Sequence, residues 1–416
     1  MTTKIVELST LIAEKTKVVD EYFKKNGLPT PSFDLDGPTR IMIPPQEKEA
    51  SDALTAVLGA TRDLNQLLTG PTGVLMSTSP NDCLSLQAMY RFKVAQTLPV
   101  GEEWSFEQLS KAVGLNVIDL RRLVRHAMCN HIFREPKPDY VAHTATSKLL
   151  AESELMQNFV GITMEEKFRA SGRVVDAVQK YDGAHSPEQS GFSLAFDTPK
   201  GFYAEMEVHP ERGRRFASAM NTFASLIPLE PLFNAFDWAS FGKATVVDVG
   251  GAWGPVSIGL AKRFPDLNFI VQDLPGVVEE GPAKVPADVK DRFQFMPYSI
   301  LDEQPVKGAP IYFFRAIFHN WPDESCVQIL KNQIPALKKG ARIVIDDSTL
   351  HEPNTLPPSV EKRRRSMDLS MLTWFGSRER TVEDWEKIFK AASPSFQLRH
   401  AKPAGMNYNL DVEWTG

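Results

Sequence analysis

The sequence predicts an α/β fold, in which a Rossmann-like, doubly wound sheet domain follows an N-terminal α-helical domain with a winged-helix pattern. From Thr245 onward, short apolar strands alternate with helical segments, whereas earlier apolar residues recur three or four apart. With 416 residues, the chain is long enough for two or three domains. We therefore expect a helical and winged-helix domain at 1–150, a helical segment that contributes to a ligand pocket at 151–240, and the sheet domain at 241–416.

The first two predicted helices carry more apolar side chains than one small module can cover. Apolar residues at helical spacing begin at Ile5, and this helix is expected to end at Gly27. A second run, Ala50–Leu68, is closed by the Gly70–Pro71 pair. Because such faces often pack on another subunit, we expect a homodimer, and packing within the chain is the alternative.

A winged-helix pattern comes next. It consists of three predicted helices and a short β-wing: Cys83–Leu98, Ser105–Gly114, Val117–Asn130 and Ile132–Ala142. Arg121, Arg122 and Arg125 on the last helix raise the alternative of DNA binding. The net charge of −5 argues against nucleic acid or an anionic membrane surface as a partner, and we expect neither.

Cysteine usage predicts a reducing compartment. Cys83, Cys129 and Cys326 are widely separated and form neither a disulfide framework nor a zinc-binding spacing. The N-terminal segment is polar and amphipathic, and no apolar run approaches the length of a membrane span. We therefore expect a cytoplasmic protein.

The segment Thr245–Pro275 has a nucleotide-binding βαβ layout of strand, glycine turn, helix, strand and acid. Gly250, Gly251 and Gly254 let the backbone turn sharply and approach a ligand. Asp273 follows the second strand, where an acid accepts hydrogen bonds from a ribose diol. The glycine order differs from the G-x-G-x-x-G of dinucleotide-binding proteins, and such a turn on its own could be only a turn.

Further strands and a crossover helix are expected downstream. They are Gln294–Met296, Ile311–Phe314, Ser325–Leu337 (the helix), Arg342–Ile345 and Asn407–Glu413. His319 follows one of these strands and is therefore expected at the carboxyl edge of the sheet, where α/β proteins bind ligands. A histidine with no such placement would more often be a hydrogen-bonded core residue.

The motifs together identify a family resemblance. With Asp248 two residues before Gly250, the D-x-G-G-x-x-G order resembles the first motif of class I S-adenosylmethionine (SAM) methyltransferases. Four further stretches extend the resemblance: QDLP, YFFRAIFHNWPDESCVQIL, ARIVIDD and DLSMLTWFGSRERT, at Gln272–Pro275, Tyr312–Leu330, Ala341–Asp347 and Asp368–Thr381. Nearly end to end, the chain is similar to fungal members of the plant-type small-molecule O-methyltransferases. The resemblance implies a class I methyltransferase domain, SAM as cofactor, an N-terminal dimerisation domain and a small aromatic or polyketide-like substrate.

The resemblance also implies a role for individual residues. The cofactor residues are Asp248, Gly250, Gly251, Gly254, Asp273, Leu274, Ser299, Ile300 and Arg315. His319 corresponds to the general base, Asp347 and Glu379 to the carboxylates that orient it, and Arg315 is a catalytic candidate as well. The substrate residues are His143, Asn320, Met371 and Trp374. Chemistry agrees, because a phenol must lose its proton to become a good nucleophile and histidine is an efficient base for it. The methyl donor is already a cation, so no metal is expected.

Four residues depart from the family pattern. Ala252 replaces a glycine, Ser299 an adenine-contacting acid, Asn320 an aspartate and Asp347 a glutamate. A branch of the family uses SAM as an unspent cation in dehydration and pericyclic reactions, and that function is the alternative. In it Arg315 would donate to a substrate carbonyl and His143 could join it. The structural alternatives are an ion pair of Arg315 with Asp302 or Asp323, and packing of His143 in the wing. A third alternative is a winged-helix regulator that senses SAM.

Overall fold

The structure is a computed structural model that describes residues 2–44, 46–183, 186–225 and 227–416. The chain forms two compact units. The first comprises Met1–Arg169, Met206–Phe223 and Pro353–Arg363, and the second Ala170–Glu205, Ala224–Glu352 and Arg364–Gly416. These units interleave along the chain, whereas the domains expected from the sequence are continuous stretches, and those boundaries stay a prediction.

The helices of the described residues are α1 (Lys4–Lys25), α2 (Lys48–Met76), α3 (Asn81–Arg91), α4 (Val94–Thr97), α5 (Phe106–Val113), α6 (Val117–Cys129), α7 (Ala145–Glu152), α8 (Glu154–Gly161), α9 (Phe168–Ser171), α10 (Val174–Tyr181), α11 (Gly191–Phe196), α12 (Phe202–Val208), α13 (Pro210–Ser225), α14 (Glu230–Ala235), α15 (Pro255–Arg263), α16 (Pro275–Val278), α17 (Gly281–Lys284), α18 (Asp323–Gln333), α19 (Pro358–Phe375) and α20 (Val382–Ala392). The strands are β1 (Glu103–Ser105), β2 (Tyr140–Ala142), β3 (Ala244–Val249), β4 (Leu267–Asp273), β5 (Phe293–Pro297), β6 (Ile311–Arg315), β7 (Arg342–Asp347), β8 (Phe396–Ala404) and β9 (Asn407–Trp414).

The first unit contains the predicted early helices with two differences. Gly70 kinks α2, with a φ of 66°, and helical backbone resumes after it to Met76, so the Gly70–Pro71 pair bends the helix and does not end it. The predicted helix Cys83–Leu98 is divided into α3 and α4 at Lys93, whose φ is 51°. A glycine–proline pair marks the first site, whereas no glycine or proline lies near Lys93, so local sequence does not explain the second break.

Capping explains why the next helix is short. Ser105 and Gln108 form a capping box at the start of α5, and Gly114, with a φ of 72°, ends it. Strands β1 and β2 pair antiparallel beside it. In the expected wing, only Tyr140–Ala142 is a strand. It pairs with β1, which comes directly before α5 and lies outside the expected wing.

The arginines that raised the DNA-binding alternative are paired with acids. Arg125 contacts Glu135 at 2.7 Å and Asp139 at 3.1 Å, and Arg121 contacts Glu107 at 3.3 Å. These carboxylates offset the positive charge on this helix.

In the second unit, the described strands form a seven-stranded sheet in the order β5-β4-β3-β6-β7-β9-β8. Strands β5, β4, β3, β6 and β7 are parallel, and β9 and β8 add an antiparallel edge. The predicted Rossmann-like α/β class is thereby confirmed. Apolar clusters cover both faces of the sheet, which explains why β6 is apolar from Ile311 to Phe314. No helix within the described ranges is long and apolar enough to cross a membrane.

Candidate active site

The glycine turn after β3 is tightly packed. The backbone N–H groups of Gly250 and Gly251 donate to the carbonyl of Gln272, at 2.8 and 3.1 Å. Gly250 has a φ of 74°, and a Cβ there would lie 2.4 Å from the Cδ1 of Ile317. Only glycine fits such a turn without displacing Ile317, which belongs to the loop that carries His319. Gly254 ends the turn directly before α15.

Asp248 lies beneath this turn, where it is fully buried. Its Oδ2 accepts a hydrogen bond from the hydroxyl of Ser257 at 2.6 Å. Burial raises the pKa of Asp248 to about 6, because the Ser257 hydrogen bond and the charge of Arg315 offset the desolvation only in part. Asp248 therefore packs against the turn at Gly251, and the charge of Arg315 lowers its pKa.

Asp273 ends β4 with its carboxylate held beside the glycine turn. Its Oδ2 accepts from the backbone N–H of Ala252 at 2.9 Å, and its Oδ1 accepts from that of Leu274 at 2.8 Å. Burial raises its pKa against these two hydrogen bonds. Each carboxylate oxygen keeps a second lone-pair direction, which is what a pair of ribose hydroxyls requires.

The loop after β5 is tied to Asp273. The backbone N–H of Tyr298 donates to the carbonyl of Asp273 at 2.8 Å, which brings Ser299 and Ile300 to the same edge of the sheet. Ser299 Oγ accepts a hydrogen bond from the N–H of Leu301 at 3.3 Å. The structure therefore gathers all the predicted cofactor residues of β3, β4 and β5.

His319 lies in a short turn after β6, beside two buried carboxylates. Its Nδ1 is 3.0 Å from Glu379 Oε1 and 3.5 Å from Asp347 Oδ1. Its backbone N–H donates to Asp347 Oδ2 at 3.2 Å. With Nδ1 directed at two acids, Nε2 is the nitrogen that can accept a proton from a substrate.

The carboxylates strongly favour the protonated ring. Desolvation lowers the pKa of His319, but the charges of Asp347 and Glu379 and the Glu379 hydrogen bond outweigh it and raise the value to about 9. Burial raises the pKa of Asp347 as well. We place the proton on the ring, because both carboxylates face it.

Arg380 holds the His319 loop in place, and no sequence pattern indicated it. The side chain is fully buried, and it donates to the carbonyls of Phe318 at 3.0 Å and Trp321 at 2.6 Å. Its Nε also donates to Asp323 at 2.9 Å. Since Arg380 follows Glu379 directly, one short segment supplies both a carboxylate for the ring and the clamp for its loop.

Arg315 forms a buried ion pair, but with a different acid from those expected. Its Nε donates to Asp346 Oδ2 at 2.7 Å. The expected partners, Asp302 and Asp323, are therefore a correction: Asp323 pairs with Arg378 and Arg380 instead. Sequence proximity suggested those acids, whereas the parallel register of β6 and β7 sets Arg315 opposite Asp346.

Aromatic side chains pack against Trp321, two residues after His319. Tyr203 stacks on Trp321, with ring centroids 6.2 Å apart, and on Phe375 at 5.4 Å. The Tyr203 hydroxyl is hydrogen-bonded to the side chain of Asn320, and burial together with the charge of Asp273 raises its pKa. Tyr203 is therefore a hydrogen-bond partner of the predicted substrate residue Asn320, which its position in a helical, aromatic-rich segment did not reveal.

Two further predicted substrate residues lie on α19. Met371 and Trp374 are both buried, and the indole of Trp374 stacks on Phe202 with centroids 5.4 Å apart. Phe202 is adjacent to Tyr203, so these rings belong to the same aromatic group in the second unit.

His143 lies in the first unit and is buried there. Its Nδ1 is 2.9 Å from Ser147 Oγ and its Nε2 is 2.8 Å from the carbonyl of Leu98. Burial lowers its pKa. With both ring nitrogens engaged, this geometry favours the packing alternative, and the substrate contact stays a prediction.

The His319 group also has the composition of a metal site. One nitrogen of His319 and one oxygen each of Asp347 and Glu379 lie within 4.8 Å of one another. The same atoms already form a hydrogen-bonded imidazole–carboxylate set, and such a set can act as a general base without a metal.

The chain is similar to known proteins in both sequence and fold. The family model of the O-methyltransferase domain matches residues 175–395. The chain is 39% identical over 403 residues to the grayanic acid biosynthesis cluster O-methyltransferase of Cladonia grayi, which covers 96% of this chain and 84% of that protein. Its fold is similar to the solved structure of OxaC, with a TM-score of 0.80, 21% identity and coverage of 99% and 100%. It is also similar to LepI in complex with SAM, with a TM-score of 0.71, 22% identity and coverage of 98% and 100%.

Proposed function

The chain belongs to the O-methyltransferase family, and on that premise we propose that it transfers the methyl group of SAM to a hydroxyl of a small aromatic or polyketide-like metabolite. One observation carries the proposal: the His319 imidazole is held by two buried carboxylates at the carboxyl edge of the sheet. The cofactor turn and Asp273 end neighbouring strands at the same edge.

The residues present fit SAM as the cofactor. The half-buried turn at Gly250 and Gly251 carries no side chain of its own, and Asp273 beside it offers lone pairs for a diol. We assign Leu274, Ser299 and Ile300 to the ribose and adenine side of this site, since the Tyr298–Asp273 hydrogen bond brings that loop to Asp273. Bound SAM supplies a methyl group on a positively charged sulfur.

In the proposed mechanism, His319 removes the proton from the substrate hydroxyl. Glu379 and Asp347 fix the ring so that Nε2 accepts the proton, and they stabilise the imidazolium that forms. A ring with a pKa of about 9 is well matched to a phenol, whose ordinary pKa is about 10, so the transfer is nearly balanced in free energy. Positive charge near the ring lowers its pKa and favours the free base.

The substrate side of the site is assigned to the aromatic group near the His319 loop. Met371, Trp374 and Asn320 are proposed to contact the substrate, with Tyr203 as an addition from the structure. Flat rings stacked in this way suit an aromatic metabolite.

A second candidate is the pericyclase reaction, in which SAM stays unspent. The observation in its favour is that His319, with a pKa of about 9, is a cation at neutral pH and can donate rather than accept. Arg315, a permanent cation, could then act on a substrate carbonyl.

We further propose a cytoplasmic homodimer that associates through the predicted N-terminal domain with its winged-helix pattern. Apolar side chains exposed along α1 and α2 support the interface: Ile5, Val6, Leu58, Leu67, Leu68, Leu75 and Met76. The three cysteines, none of them paired, support a reducing compartment. Light scattering at micromolar concentration should give twice the mass of one chain, and a monomeric mass would contradict the dimer.

Mass spectrometry separates the two functions. The chain is incubated with SAM and a panel of phenolic and polyketide-like compounds, and both the products and the spent cofactor are measured. A product heavier by one methyl group, with S-adenosylhomocysteine in equal amount, supports methyl transfer. An isomerised or dehydrated product with SAM unspent contradicts it and supports the pericyclase.

A further inference from the structure

A row of polar side chains crosses one face of the sheet at its carboxyl edge. Arg315 on β6, Asp346 on β7 and Asn409 on β9 are neighbours in the strand register, so their side chains share a face. Asn407, two residues before Asn409, lies on the same face and donates to Asp346 Oδ2 at 3.2 Å. On the same face, the residues next to the row on β6 and β7 are the buried Phe313 and Val344, so the polar row borders an apolar core.

The row is costly in free energy. Asp346 is 1% exposed, and its Oδ1 has no hydrogen-bond partner among the described residues. Both side-chain polar atoms of Asn409 are also buried without a partner there. Since buried polar atoms are nearly always hydrogen-bonded, a fold that only needed stability would place apolar residues here.

Arg315 is held in a particular orientation. Asp346 engages its Nε, and no other hydrogen bond of Arg315 is found within the described ranges. The guanidinium keeps its two terminal nitrogens for another group, and 12% of the side chain is exposed. Its charge acts on Asp248, beneath the glycine turn. Asp248 lies opposite Phe313 in the register of β3 and β6, so Arg315, two residues after Phe313, is on the same face of the sheet as Asp248, at the end where the glycine turn follows β3.

We propose that Asp346 is a positioning residue: it grips Arg315 through Nε, with support from Asn407, so that the two terminal nitrogens stay turned to the bound cofactor and substrate. The inference rests on the proposed role of Arg315 in the active site. Asp346 does not contact the reacting atoms, and its effect on binding or turnover passes through the guanidinium alone.

Strand β7 also carries a second buried ion pair, with its neighbour β9, that serves as a control. At their other end, Arg342 donates through Nε to Asp411 at 2.8 Å, and Asp411 is 2% exposed. The Asp411 carboxylate is as buried as that of Asp346, although Arg342 binds it through both Nε and a terminal nitrogen and also contacts Glu413 at 3.3 Å. The pair lies at the amino end of β7, whereas the glycine turn follows the carboxyl end of β3. Replacing Asp411 therefore tests what the loss of such an ion pair does to the fold alone.

The experiment compares Asp346→Asn, Asp411→Asn, Arg315→Gln and the double variant Asp346→Asn/Arg315→Gln. Calorimetry measures the Kd for SAM, steady-state kinetics separate kcat from KM, and denaturant unfolding of the cofactor-free protein gives stability. We expect Asp346→Asn to weaken SAM binding or kcat by about tenfold or more, the typical effect of losing a hydrogen bond to a charged group. Asp411→Asn should lower the free energy of unfolding about as much as Asp346→Asn does, and it should leave the Kd for SAM and kcat unchanged.

In the Arg315→Gln background, adding Asp346→Asn should change Kd and kcat no further, because the residue it positions is already gone. Additive losses, or equal small effects of Asp346→Asn and Asp411→Asn on Kd and kcat, would overturn the inference. If Arg315→Gln impairs the protein and Asp346→Asn does not, the inference alone fails. If Arg315→Gln has no effect, the proposed role of Arg315 fails first, and the inference fails with it.

Discussion

Asp346 and Asp347 are neighbours on β7, yet Asp346 pairs with an arginine and Asp347 lies beside a histidine. Successive residues of a strand face opposite sides of the sheet. Asp346 faces Arg315 at 2.7 Å, on the side of the glycine turn and Asp248. Asp347 faces His319 at 3.5 Å, on the side of α18 and α20, where Glu379 joins it. Two consecutive residues therefore contact the two basic side chains, Arg315 and His319, on opposite faces of the sheet.

The difference between the two faces is one of proton chemistry. Arg315 keeps its charge at every accessible pH, so the Asp346 face carries a fixed positive charge. A free imidazole titrates near neutral pH, and two carboxylates raise the pKa of His319 to about 9, so the other face can take up and release a proton. Variants on the imidazole face should therefore change turnover, and variants on the cofactor face should change affinity.

The largest expected effect is on the imidazole face. His319→Ala should lower kcat by roughly 10²–10⁴-fold, the usual contribution of a general base. The Kd for SAM should stay the same, because no cofactor residue is lost. Rapid-quench kinetics together with calorimetry measure both quantities, and a fall in affinity with kcat intact would place His319 on the wrong side of the comparison.

The pH dependence should follow the imidazole face as well. The base works only when deprotonated, so kcat/KM should rise with pH and level off above about 9, a gain of about 10²-fold from pH 7 for a single group of that pKa. The same profile measured with His319→Ala is the control, because it reports ionisation of the substrate alone. A wild-type profile that is flat from pH 7 to 9 would exclude a titrating base with this pKa.

On the cofactor face, Asp273→Ala should weaken SAM binding by roughly 10–150-fold, equivalent to about 1.5–3 kcal/mol for hydrogen bonds to a charged group. Saturating SAM should restore most of kcat, in contrast to His319→Ala. Calorimetry provides the test, and an unchanged Kd would remove Asp273 from the ribose site.

The smallest expected effect is on the free energy of unfolding and comes from Ala252 in the glycine turn. Ala252 adopts a left-handed conformation with a φ of 51°, which costs an L-residue about 1 kcal/mol. Ala252→Gly should therefore raise the free energy of unfolding by up to that amount and leave the Asp273 hydrogen bond in place. Denaturant unfolding measures it, and a clear loss of stability would mean that the alanine methyl group contributes packing that outweighs the strain.

Local patterns were sufficient to predict the cofactor turn. The segment from β3 to β4 has every signal within one stretch: apolar strand, glycines, helix and a terminal acid. The structure has the strand, helix and second strand in the expected order within Thr245–Pro275, with the first strand starting one residue earlier. By contrast β8 was not expected, because its alternation is weak and a bulge between Leu398 and His400 interrupts it.

Partners that lie far apart in the sequence could not be predicted from local pattern. His319 and Glu379 are brought together by the path of α18, β7 and α19, and only the family resemblance connected them. The partner of Arg315 depends on strand register, which no local signal encodes, and so the expected acids were wrong. Arg380 and Tyr203 act through contacts with the His319 loop that a single sequence does not display.

The most direct test of the central claim, that two carboxylates make His319 the base for methyl transfer, is a single-turnover pH profile with methyl-labelled SAM for the wild type and Glu379→Gln. The wild type should transfer label to the substrate, with an apparent pKa near 9 for the base. Glu379→Gln removes one negative charge from Nδ1, so its apparent pKa should fall, its rate at high pH should drop, and its Kd for SAM should stay the same. Identical profiles for the two proteins, or product formed by both without label in it, would contradict the claim.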